Sequence, residues 1–138
     1  MPAMPTYQPH PRPTAALLAL RPAIEGQPAA IPTPTTVPDF LHQVLRPLLK
    51  LQHALLAATA ADFAHDYHVP LAGAAPAEAS RLLASLLARN TRLRATLAGI
   101  VVGLLTAEEF AFYRQHRAEL NRRLLDLMAE RLASTAAG

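Results

Sequence analysis

Ten of the thirteen prolines in this chain of 138 residues fall at or before Pro38. Proline has no amide to donate, and its ring biases the preceding residue away from helix, so so dense a run sustains neither helix nor sheet. The spacing therefore divides the chain in two. Residues 1–35 read as a proline-rich, disordered arm, in which Pro9-His10-Pro11-Arg12-Pro13 and Pro32-Thr33-Pro34 sample polyproline II. Pro2-Ala3-Met4-Pro5 has the spacing that a proline-binding groove accepts, but a linker or extension is the commoner meaning of such a segment. The arm's one apolar run, Thr14 to Leu20, suits a short turn of helix docked on the body. It does not read as a secretory signal, because no basic region precedes it and Arg21 and Pro22 follow at once.

The remainder, residues 36–134, is expected to fold, with 135–138 as a frayed tail. Hydrophobic residues make up 51% of the chain but aromatics only 5%, and there is no Trp, so the core must be built from Leu and Ala. These head the helix propensities, whereas strand-forming Val and Ile are scarce. The fold class that follows is all-α: a small bundle of three long helices, the first kinked or split near Pro47, giving three or four.

The first helix is predicted to open with Thr36 as N-cap, Pro38 in the first turn and Asp39 against the helix dipole. Leu41, Val44, Leu45, Leu48, Leu51, Leu55 and Leu56 then recur at helical spacing, and His68-Val69-Pro70 should end the run. A second helix is expected from Pro76, with its apolar stripe running from Leu82 to Leu104 and becoming apolar on nearly every side after Ala95. The third opens on a capping box, Thr106-Ala107-Glu108-Glu109, flanked by Leu105 and Phe110 at the positions of a hydrophobic staple. Its pattern continues through Leu120, Leu124 and Met128 to Leu132.

Few groupings could carry chemistry. The chain has no Cys, so disulfides, thiolate nucleophiles and Cys-ligated metals are excluded. Glycine-rich phosphate loops, G-x-S-x-G and HExxH are also missing, and the reading leans away from an enzyme and from any cofactor. Asp62, His65, Asp66 and His68 are the one cluster with metal-ligand residue types, although a His-rich helix end also suits the C-terminal dipole. Arg81, Arg89, Arg92 and Arg94 lie in a stretch without acids and could neutralise phosphates of a nucleic acid. No aromatics accompany them for base stacking, and the formal net charge is only +3, so a solvated basic face is favoured.

The feature that most invites a partner is Gly99-Ile100-Val101-Val102-Gly103. Two glycines in a helix interior cost about 1 kcal/mol each, and at this spacing they let another backbone approach closely. That backbone is expected to belong to the same chain, or else to a second copy, with Leu97, Ile100, Val101 and Leu104 completing the seam. The leading expectation is a small helical interaction module that self-associates or binds another helical protein. Nucleic-acid association and a His/Asp metal site are the alternatives. The longest apolar stretch, Ala95 to Leu105, is far short of a membrane span, and a cytoplasmic location is expected.

Overall fold

The computed structural model describes residues 11–22 and 34–137. Among these the regular elements are all helical: α1 (Thr14–Ala19), α2 (Val37–Phe40), a π-helical turn (Leu41–Leu45), α3 (Arg46–Asp66), α4 (Pro76–Arg89), α5 (Thr91–Val102), α6 (Ala107–Gln115) and α7 (Arg117–Ala137). Helix α3 packs chiefly on α5, and α4 on α7. The core between them is aliphatic, with Leu45, Leu48, Leu93, Leu97, Leu120 and Leu124 wholly buried. Two phenyl rings supplement it: Phe112 stacks on buried Phe40 at 4.9 Å between centroids.

The first helix begins as its capping signals require, the Thr36 hydroxyl accepting from the Asp39 amide at 3.3 Å. The Pro47 discontinuity takes the form of a widened turn. Pro47 cannot donate to the Gln43 carbonyl, and in the turn before it the Arg46 amide reaches back to the Leu41 carbonyl.

Two of the three expected long helices are broken. Helices α4 and α5 meet at Asn90, which ends one and caps the other, its Oδ1 accepting from the Leu93 amide at 2.9 Å. The Arg94 guanidinium closes the joint by donating to the carbonyls of Leu87 and Ala88, both at 2.8 Å. The third helix divides at His116, whose ring lies 4.6 Å from that of Phe112. Buried Tyr113 spans this break, its hydroxyl donating to Asn121 Oδ1 at 2.5 Å.

Within the arm, the apolar run forms the short docked helix expected of it: residues 11–22 carry α1 and hold to the body through Arg12 and Arg21. The rest of the arm, residues 1–10 and 23–33 with both polyproline segments and the PxxP spacing, lies largely outside the described residues. At the other end, the helix runs through the expected frayed tail to Ala137.

Candidate interaction site

The corner between α5 and α6 concentrates the polar interactions of the fold. Its frame is the capping box: the Thr106 hydroxyl accepts from the Glu109 amide at 3.3 Å, and Glu109 Oε1 accepts from the Thr106 amide at 2.9 Å. Both residues are buried. The corner also exposes the end of α5, where the last carbonyls of a helix lack intrahelical donors.

Residues of the arm fill both needs. Arg12 donates through Nη2 to the carbonyls of Gly103 at 2.8 Å and Leu105 at 3.1 Å. Arg21 takes Glu109 in a fork, Nη1 to Oε2 at 2.6 Å and Nη2 to Oε1 at 2.5 Å, and lies 3.5 Å from the Leu104 carbonyl. The two side chains of this ion pair are only 10% and 7% exposed. Burial alone would raise the Glu109 carboxyl. Hydrogen bonds from Arg21 and from the Thr106 amide, together with the Arg21 charge, outweigh it and hold the group below its ordinary 4.5. Between the two arginines, Leu17 is buried while Leu18 and Leu20 stay outside.

Sequence reasoning assigned Glu109 to the capping box and missed its second role. The signal was present: Arg12 and Arg21 are the only Lys or Arg before Glu25, and they bracket the arm's one apolar run.

The glycine-containing seam is divided by the fold. Leu97 and Val101 turn inward and are wholly buried, while Ile100 and Leu104 are half-buried and Gly99 and Gly103 exposed. The expectation that another helix of the same chain lies against these glycines fails among the described residues. A Cβ at Gly99 would meet nothing within 4 Å, and one at Gly103 would meet only the Gly99 carbonyl oxygen, at 3.0 Å. Helix α3 approaches α5 on its other side, with Gln52 Nε2 donating to the Ile100 carbonyl at 3.3 Å. Three residues along from Gln52, Leu55 is 51% exposed.

The four arginines proposed for nucleic acid do different things. Arg81 pairs with Glu78 one turn away, Arg89 Nε donates to the Ser85 carbonyl at 3.3 Å, and Arg94 is spent on the end of α4. Arg92 is exposed at the start of α5.

Asp62, His65, Asp66 and His68 are all exposed, and no three such side chains among the described residues converge to hold a metal ion. His68 has a backbone role. It closes α3 with φ of 56°, its amide reaching the His65 carbonyl at 3.2 Å while the Val69 amide reaches Ala64 at 2.8 Å. This is the Schellman closure of a helix, with histidine where glycine is usual.

A shallow groove between α3 and α7 is lined by Arg46, Leu49, His53, Leu127, Glu130, Arg131 and Ser134. Arg131 Nε donates to His53 Nδ1 at 3.1 Å across it. Among the described residues no helix is long and apolar enough to cross a membrane. Comparison with protein-family models, curated proteins and solved structures returns no match to this chain.

Proposed function

We propose that this protein is a small helical interaction module that self-associates through the outer face of α5. The observation that carries the reading is Gly99, which among the described residues stands in open space, inside the longest apolar stretch of the chain, Ala95 to Leu105. Glycine in a helix interior costs about 1 kcal/mol against alanine, and the packing within one copy returns nothing for it. A second backbone approaching at Gly99 and Gly103 would be that return, and would cover Ile100 and Leu104 as well. The seam is therefore narrower than periodicity suggests: Leu97 and Val101 serve the core of their own chain.

The partner is a second copy, because symmetric pairing lets one glycine face pack against another like it. Sedimentation velocity on the full chain at tens of micromolar is expected to give a dimer. A single monomeric species across that range would overturn the proposal.

A further inference from the structure

The corner holds the arm as it would hold a separate peptide. Every polar group the body contributes comes from residues 103–109, and every group the arm contributes comes from residues 12–21. The frame of the site is local to the corner, since the capping box forms between Thr106 and Glu109 without help from the arm. The arm is joined to the body by the stretch from Pro22 to Pro34, twelve residues on, which can span at most about 40 Å. Its docking is also incomplete. Arg21 Nε is buried and has no acceptor among the described residues, a donor left unpaired in the docked arm.

We propose that the corner is a docking site for an arginine-flanked apolar segment, and that in the self-associated protein this segment is exchanged. Residues 12–21 of one copy dock on residues 103–109 of the other. This rests on the self-association reading, and one contact links the two: Arg12 bonds the carbonyl of Gly103, the second glycine of the α5 face. Two copies crossing at Gly99 and Gly103 each start their corner within one helical turn of the crossing. Exchange then conserves every contact of the arm while linking the copies, the low-cost route of domain swapping.

The test mixes two full-length variants. The donor carries Glu109→Gln, which keeps an oxygen to accept from the Thr106 amide but removes the charge that Arg21 requires. It also carries Leu18→Cys, a dye site at an exposed position in a chain without other cysteines. The acceptor carries Arg12→Ala and Arg21→Ala, leaving its corner intact and vacating it. A second acceptor adds Glu109→Gln to those two changes. Exchange predicts that the dye's anisotropy rises on titration with the first acceptor, and that the second binds about tenfold or more weakly, as expected for losing charge-assisted hydrogen bonds. Equal rises with both acceptors would overturn exchange and leave self-association standing. No rise with either would overturn both. A labelled peptide of residues 11–22 titrated into the first acceptor checks the docking site without the donor's fold. Saturable binding lost on Glu109→Gln supports the site, and its absence at millimolar acceptor removes it.

Discussion

At the scale of single residues, three backbone positions show how the fold uses local chemistry. His68 sits at φ of 56°, where an L side chain costs roughly 1–2 kcal/mol and glycine costs little. His68→Gly should therefore stabilise the protein by about 1 kcal/mol, read as a higher denaturant midpoint with unchanged slope, while His68→Val should lower it. A histidine held for metal rather than for helix closure would instead give a variant whose loss appears only when metal is supplied. The two glycines of α5 make a contrasting pair. Gly99→Ala adds a methyl that meets nothing and removes a poor helix former, so it should stabilise one copy by about 0.5–1 kcal/mol. Gly103→Ala sets its methyl 3.0 Å from the Gly99 carbonyl oxygen and should bring no such gain. Thermal unfolding of the two variants at low concentration separates them.

At the scale of elements, the legible parts of the fold were those with local causes. The Thr36 cap, the Thr106–Glu109 capping box and the stop before Pro70 each depend on residues within one turn of one another. The breaks at Asn90 and His116 were harder to see, because apolar spacing ran across them. The inward residues Leu86 and Leu93 are seven apart, two turns along one face, so the spacing hides the break, and Asn90, a strong cap, is the one local sign of it. The docking of α1 was not legible beyond its apolar run, since Arg21 and Glu109 are separated by 88 positions. That long-range pair has a pH signature. A carboxyl held below its unfolded value stabilises the fold above that value, and the contribution disappears as pH falls through the lowered one. The stability difference between wild type and Glu109→Gln should thus be full above about pH 5 and vanish on acidification below 4.5. Arg21→Ala should cost about 2 kcal/mol rather than the 3–5 typical of a broken buried pair, because the arm can lift away and let water reach Glu109. Urea unfolding monitored by circular dichroism between pH 3 and 7 measures both.

At the scale of the whole molecule, the aliphatic core is complete within one copy, and it leaves one side of α5 uncovered, while the exposed large apolar side chains Leu18, Leu20, Leu55, Tyr67 and Phe110 lie on other segments. The glycines of α5 are open, Ile100 and Leu104 are half-covered, and the arm is anchored at its end through Arg12 and Arg21. Self-association through that face is tested most directly at Gly99. Gly99→Leu places a bulky side chain where one copy has room for it, so the variant should fold, but no second backbone could then come close. Sedimentation equilibrium on the two proteins side by side decides the matter. Wild type is expected to be a dimer of the 14.9 kDa chain, and Gly99→Leu a folded monomer. The same molecular mass for both, whether monomer or dimer, would contradict self-association through that face.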